Sequence, residues 1–354
     1  MTILGRVRVE RAYYLCAHCH AGNCPRDTVL GLTTGDLSRG ATEAVALAGA
    51  LGRSAEAAQK VLPKLSGVRV SESTVERVTA RTGRDVGARL RAGQTFGGTE
   101  AWTWSKDADG QTVAYVSADA TGVGMQGPNG GPAEGRMASV GMVWNAGKPG
   151  QVRYVCGMTG GLAALSEPLR NQGAQVGTDR ARRWVAISDG GAGLESWLRE
   201  NFARVEDVIL DFYHVAEHVN DGARVLHRDD EMESRRVAAA WCHRLKHEGG
   251  AVVLEELKRI DTSGRSEAVV EAHRVLLVYM GNQVHRMDYP RYRAKGWLIG
   301  SGPVEAACEQ VVGQRLKGTG MRWGEPGADA PCHLRALFRS EKGQWDGYWA
   351  SLAA

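Results

Sequence analysis

Residues 111–119 read QTVAYVSAD, and residues 182–191 read RRWVAISDGG. Each is an apolar run rich in β-branched and aromatic residues that stops on an acid. This is the pattern of a strand buried in a sheet that delivers a carboxylate to the sheet rim. Between them, MASVGMVWN (137–145) and QVRYVCGM (151–158) read as two more strands, joined by the turn-forming AGKPG (146–150). LAALSEPLRNQG (162–173) and GLESWLRENFA (193–203) read as helices, and VEDVILDFYH (205–214) is a further strand meeting an acid. Three strands followed by alternating helix and strand predict an α/β layer with a mixed sheet.

Outward from this layer the pattern changes on both sides. After it, DEMESRRVAAAWCHRLKHEGG (230–250) and AVVLEELKRI (251–260) predict long charged helices, so residues 216–295 read as a helical insertion. GWLIGSGPVEAACEQVVGQRLKGTGMRW (296–323) then opens on a Gly-Ser-Gly turn and continues as a helix bearing Glu305. Residues 96–215 and 296–354 therefore read as one α/β domain. Before it, residues 38–95 carry Ala and Leu at helical spacing in ATEAVALAGALG (41–52) and AEAAQKVLPKLS (55–66). The turn GVRV leads to SESTVERVTARTG (71–83), where Ser73 and Glu76 fit a capping box and Gly83 a helix stop. Helix, short turn and capped helix outline a helix-turn-helix, with Arg77 and Arg81 four apart on one face as DNA contacts. A plain helical hairpin fits the same pattern. Residues 1–37 hold the cysteine cluster YLCAHCHAGNC (14–24).

The chain has 354 residues, 43% hydrophobic and 24% charged, the composition of a globular protein of several domains. No apolar run approaches the roughly 20 residues of a membrane span, and MTILGRVRVERAYY lacks a signal-peptide core, so a cytoplasmic, nucleoid-associated protein without a membrane partner is expected. Seven cysteines, scattered beyond one cluster, argue against a secreted disulfide framework. The net charge is only +4. Between residues 291 and 322 lie Arg291, Arg293, Lys295, Arg315, Lys317 and Arg322 against Glu305 and Glu309, so this one stretch matches the excess of the whole chain. A local cluster of that kind suits a polyanion.

Asp119 and Asp189 end apolar strands, and two such strands side by side bring their carboxylates within reach of one ion. Glu305, at the start of a helix after a flexible turn, can join them. Three hard oxygen donors suit Mg²⁺ or Mn²⁺. Two such ions can serve both the attacking and the leaving oxygen of a phosphodiester displacement. Asp211 also ends an apolar strand and rivals Asp189; Glu309, one helical turn after Glu305, rivals the third acid. His243 and His247 are four apart but sit in a charged stretch and read as surface residues. Trp323 reads more readily as core than as a base-stacking platform.

SADATGV (117–123), AISDGG (186–191), DFYHVAEH (211–218) and GSGPVEAACEQVVGQRLKGTGMRW (300–323) together resemble the DDE transposases of bacterial insertion sequences, in particular the IS-Kra-like group related to Mutator-like transposases. The similarity runs from YYLCAHC to the C-terminal helix, and the GSG-x-x-E stretch with RLKGTGMRW is its most specific part. The resemblance implies an RNase H-like catalytic domain with a helical insertion before the last acid. It implies DNA cleavage and strand transfer by Asp119, Asp189 and Glu305, with His214 of DFYH near the scissile region. It also implies transposon ends and target DNA as partners of a homo-oligomer. Arg315, Lys317 and Arg322 would contact phosphates. An RNase H-like nuclease or resolvase without strand transfer, and a transposon-derived non-catalytic DNA-binding protein, are the alternative functions.

Cys16 and Cys19 have the spacing of half a structural Zn²⁺ site, whose other half should be a second close pair. Resembling proteins carry such a pair upstream of GRVRVERAYYLCAHC. The expectation is therefore a partial zinc-ribbon-like site in a chain lacking its natural beginning. A complete short knuckle using Cys24 and His18 or His20 is the competing arrangement.

Overall fold

The computed structural model describes residues 1–30, 32, 37–127, 129, 131–341 and 343–352. The parts of the expected N-terminal segment and catalytic domain at 31, 33–36, 128, 130, 342 and 353–354 lie outside the described residues. A short antiparallel pair, β1 (Tyr14–Leu15) and β2 (Gly22–Asn23), precedes α1 (Pro25–Val29). Three helices follow: α2 (Arg39–Leu51), α3 (Ala55–Leu65) and α4 (Glu72–Arg91). Serines cap all three: Ser38, Ser54 and Ser71 accept from the amides of Ala41, Ala57 and Thr74.

The layer then runs through β3 (Val113–Gln126), β4 (Pro132–Trp144), β5 (Val152–Gly157), α5 (Ser166–Gln175), β6 (Arg183–Ser188), α6 (Leu194–Asn201) and β7 (Val205–Leu210). The helical insertion comprises α7 (Phe212–Leu226), α8 (Glu231–Glu248), α9 (Gly250–Lys258), α10 (Glu267–Gln283) and α11 (Tyr289–Ala294). The chain returns through α12 (Gly302–Ala307), a π-helical turn over Cys308–Gly313, α13 (Gln314–Leu316), α14 (Glu325–Arg339) and α15 (Gln344–Ser351).

The five strands form one mixed sheet in the order β5-β4-β3-β6-β7. β3 pairs antiparallel with β4, and β4 with β5; β3 and β6, and β6 and β7, are parallel. The α/β class expected from the sequence is the one observed. Alternation decides which layer each side chain enters. Val113, Tyr115, Val123 and Met125 of β3 join Val185, Ile187 and Ile209 in the core beneath the insertion helices. Ala114, Val116 and Ala118 join Ala186, Val208, Leu169 and Leu198 beneath α5 and α6 on the opposite face. Among the described residues no helix is long and apolar enough to cross a membrane.

Three local expectations are corrected. β3 does not end at Asp119 but continues to Gln126. Its parallel ladder with β6 closes at Ser117, while its antiparallel ladder with β4 runs on to Gln126. The cap of α4 is Ser71 rather than Ser73, because extended backbone at Ser71 aims its hydroxyl at the Thr74 amide, 3.2 Å away. Gly83 does not stop the helix. It lies where α14 crosses, and a Cβ there would sit 2.2 Å from the carbonyl oxygen of Ala330. Gly87, one turn on, lies against His333, where a Cβ would come within 2.5 Å of the ring. The glycines set a close helix crossing, and Val45, Leu62, Val75 and Val86 consequently share a core with Leu334, Leu337, Trp345 and Tyr348.

Candidate active site

Strand order brings the acids to one end of the sheet. Ser117 pairs with Ile187 and Ile187 with Ile209, and Asp119, Asp189 and Asp211 follow two residues on in each chain, beyond these paired positions. The Asp189 charge acts on Asp119, and the Asp211 amide donates to the Ser188 carbonyl at 2.9 Å. The acids lie at the carboxyl ends of the parallel ladders, where open α/β sheets place their ligands.

The three carboxylates differ in their partners. Asp119 is half-buried, and its Oδ1 accepts from the Ala120 amide at 2.6 Å and its Oδ2 from the Cys308 thiol at 3.4 Å. Burial pushes its carboxyl above the usual carboxylate range; the negative charge of Asp189 adds to this, and the Ala120 amide, the Cys308 thiol and His214 oppose it. Asp189 is half-exposed, with Oδ1 accepting from the Gly191 amide at 2.9 Å and Oδ2 making no hydrogen bond among the described residues. Asp211 is only 1% exposed. It caps α7 by accepting from the Tyr213 amide at 2.9 Å, and its other oxygen accepts from the Ser301 hydroxyl. Asp189 thus keeps an oxygen available to an ion, whereas Asp211 is committed to helix and turn.

Glu305 is exposed on α12, which packs over β3 and β4. Cys308, three residues on, reaches Asp119, whereas the groups acting on Glu305 are Ser301, Asp211 and Glu217. Glu305 Oε1 lies 2.8 Å from the Ser301 hydroxyl, whose single proton serves either this oxygen or Asp211. That bond draws its carboxyl down, but partial burial and the neighbouring Asp211 outweigh it, and the net shift is upward. Glu305 therefore leans toward Asp211 rather than closing on Asp119 and Asp189. Among the described residues no three His, Cys, Asp or Glu stand as a ready ligand set. The rival Glu309 folds back along its own helix, where a Cβ on Gly313 would meet its Oε2 at 2.1 Å.

The helix run is held in an unusual shape. A π-turn leaves carbonyls poorly paired, and the buried Arg335 guanidinium donates to Gln310 and Val311 within it. Sequence reasoning did not find Arg335, because a lone arginine in an amphipathic helix carries no sign of pointing inward. The same holds for Arg286, 2% exposed, which donates to the Ser188 hydroxyl at 2.7 Å and to the Val208 carbonyl at 3.1 Å. It fixes the ends of β6 and β7 just ahead of Asp189 and Asp211. His214, half-buried on the first turn of α7, has its Nε2 3.2 Å from Nε2 of His218. Tyr279 of α10 stacks on His218 with ring centroids 4.0 Å apart and lies against Gly190. Tyr279 was also missed; its proximity to Asp189 and Asp211 arises only from the packing of α7 on α10.

The expected basic patch is only partly continuous: Arg293, Lys317 and Arg322 are exposed, but Arg315 is not. Arg315 is 7% exposed; it donates to the carbonyls of Gly49 and Arg53 at 3.2 Å and stacks on Trp323. It closes the C-terminus of α2, facing backbone carbonyls rather than solvent. Burial lowers its pKa from the ordinary value, with partial relief from Glu76. Trp323 is half-buried and donates to Leu316 O, a packing role. Arg291 is tied to Asp207 and Asp288. Lys317, which donates to the Thr121 hydroxyl, and Arg322 remain exposed. Arg77 is exposed and donates to Thr74 at 3.3 Å. His243 and His247 are exposed, as expected.

Cys16 and Cys19 lie exposed in the tight turn between β1 and β2. The backbone amides of Cys19 and His18, with the Cys19 side chain, hold the Cys16 thiol below its ordinary pKa. Cys24 immediately precedes α1, its carbonyl accepting from the Asp27 amide at 2.9 Å. Set against protein-family models and curated proteins, the chain matches none.

Proposed function

We propose that the chain is a DDE-type transposase with an RNase H-like catalytic domain, cutting and joining DNA strands through Asp119, Asp189 and Glu305. The observation that carries this is the placing of Asp119 and Asp189 just beyond the parallel ladders at the carboxyl end of the sheet, with Cys308, next after the Glu305 helix, donating to Asp119. The donor set is all oxygen, and burial with the Asp189 charge raises the cost of ionising Asp119, a condition that a divalent cation relieves. Asp119 and Asp189 fit Mg²⁺ or Mn²⁺ as first ligands, and Glu305 joins by turning away from Ser301. Such ions, when bound, supply an activated nucleophile and a stabilised leaving oxygen. The chain's own contribution is positional. Arg286 and the Asp189-Gly-Gly turn hold one acid, the Ala120 amide and Cys308 thiol hold the other, and His214 stands where a proton can be taken or returned.

The test is cleavage and joining of a DNA substrate in Mg²⁺ or Mn²⁺. Asp119→Asn, Asp189→Asn and Glu305→Gln should each abolish cleavage while leaving DNA binding intact, because each removes charge at nearly constant shape. Full cleavage by Asp189→Asn beside a dead but folded Asp211→Asn would overturn the assignment of the second acid. Cleavage without joining would indicate a nuclease rather than a transposase.

A further inference from the structure

Tyr279 lies on α10, and its hydroxyl is closed to water yet makes no hydrogen bond among the described residues. A buried O–H without an acceptor is costly, and folded chains keep few of them. The ring cannot turn elsewhere to find one. It stacks on His218 with centroids 4.0 Å apart, and the His218 Nε2 stands 3.2 Å from that of His214. The ring also lies against the turn that follows β6. A Cβ on Gly190 would come within 3.0 Å of the ring and 3.5 Å of the hydroxyl oxygen. Gly190 thus lets the tyrosine approach the backbone directly after Asp189.

Burial keeps the proton on this hydroxyl; the Arg286 charge opposes that, and the charges of Asp189 and Asp211 add to it. The group is therefore a donor in need of an acceptor. Most acceptors nearby are occupied. Asp211 accepts from the Tyr213 amide through one oxygen and meets the Ser301 hydroxyl through the other. The Leu210 carbonyl accepts from Tyr289 at 3.1 Å, and the Val208 and Ser188 carbonyls accept from Arg286. Asp189 is different. Its Oδ1 accepts from the Gly191 amide at 2.9 Å, and its Oδ2 has no partner among the described residues. A carboxylate oxygen has two lone-pair directions, so it can meet a cation along one and a hydroxyl along the other. An unmet donor and an unmet acceptor thus stand at the same glycine turn.

We propose that Tyr279 is a positioning residue for the second acid, its hydroxyl donating to the Asp189 carboxylate when that carboxylate takes a divalent cation. This role rests on the reading of Asp189 as an ion ligand. Held by the Gly191 amide and by the Tyr279 hydroxyl, the carboxylate keeps one orientation. Partners of this kind are worth about 10–100-fold in metal affinity. The hydroxyl is unpaired in the ion-free chain, so its removal takes no contact from the resting fold.

The test is Mn²⁺ binding to the full chain, with free ion read by electron paramagnetic resonance, beside melting curves in chelator. Asp189→Asn reports the ion held elsewhere on the chain. Tyr279→Phe keeps the ring and its stack on His218 and removes only the oxygen. It should weaken the Asp189-dependent site by about 10–100-fold and melt in chelator no lower than wild type. Tyr289→Phe is the contrast, because its hydroxyl already serves the Leu210 carbonyl. It should melt lower and leave Mn²⁺ affinity unchanged. Unchanged affinity in Tyr279→Phe, or an equal loss in Tyr289→Phe, would overturn the role of Tyr279 while leaving the ion site standing. A lower melting temperature for Tyr279→Phe in chelator would mean that the hydroxyl is already engaged in the resting fold, and would overturn the role as well. Wild type binding Mn²⁺ no better than Asp189→Asn would instead remove the ion site on which the role depends.

Discussion

Replacing Asp119 by Asn should stabilise the metal-free protein and abolish its response to divalent cations. The carboxylate sits half-buried on β3, and the Asp189 charge acts on it. At a separation on the order of one strand spacing, ~5 Å, two unit charges repel by about 3 kcal/mol at an effective dielectric constant of about 20, and by under ~1 kcal/mol in water. Half-burial places the relief from neutralising Asp119 at about 1–3 kcal/mol, a rise in Tm of about 2–5 °C for a chain of this size. Burial and Asp189 raise the Asp119 carboxyl in the folded state. Its favourable contribution is therefore complete below the unfolded value of about 3.9 and is lost as pH rises through the raised folded value. The gain from Asn should accordingly be small near pH ~4 and full at pH ~8. With Mg²⁺ or Mn²⁺ at about 100 times its Kd, wild type should gain about 2.7 kcal/mol and the variant little. Differential scanning calorimetry in chelator and in metal, at both pH values, measures all of this. A variant less stable than wild type at the higher pH, or equally stabilised by metal, would refute an ion site built on Asp119 and Asp189.

Asp211→Ala removes both the α7 cap and the acceptor for Ser301, and should cost about 2–4 kcal/mol in denaturant unfolding, against under ~1 kcal/mol for Asp189→Asn. Gly83→Ala drives a methyl group into the Ala330 carbonyl and should lower stability by about 1–3 kcal/mol; a neutral result would mean that α14 does not cross α4 so closely. Arg335→Met strands the carbonyls of Gln310, Val311 and Ala50 and should cost about 2–5 kcal/mol, seen as a lower denaturant midpoint. Metal analysis of the purified chain should find Zn²⁺ below one equivalent and dependent on Cys16 and Cys19; tight binding lost on Cys24→Ser would instead establish the complete knuckle.

The strands were legible because a buried sheet leaves continuous apolar runs, and the α/β class followed from their order. Their ends were less so. Nothing in QTVAYVSADATGV states that an antiparallel neighbour will carry β3 past Asp119 after its parallel neighbour has stopped. Ser71 and Ser73 offer the same chemistry as caps, and only backbone geometry separates them. Gly83 reads locally as a terminator, yet its meaning lies in a helix more than two hundred residues away. Charge was the least legible property. Arg315 and Arg335 have the sequence surroundings of surface residues, but both turn inward to helix carbonyls, because a guanidinium can satisfy several acceptors at once. The acids themselves were half visible: three carboxylates after apolar runs were evident, but that two parallel ladders close just before them is a property of the sheet.

Those inward arginines have a mechanical consequence. The last carbonyls of α2 are gripped twice, by Arg315 at Gly49 and Arg53 and by Arg335 at Ala50, and both arginines also anchor the run that carries Glu305. The other end of α2 begins at Ser38, whose hydroxyl caps it. Residue for residue, α2 is a rod about 20 Å long with its carboxyl end clamped to the helical run that carries Glu305. A displacement of its amino end is therefore transmitted along the rod to that run.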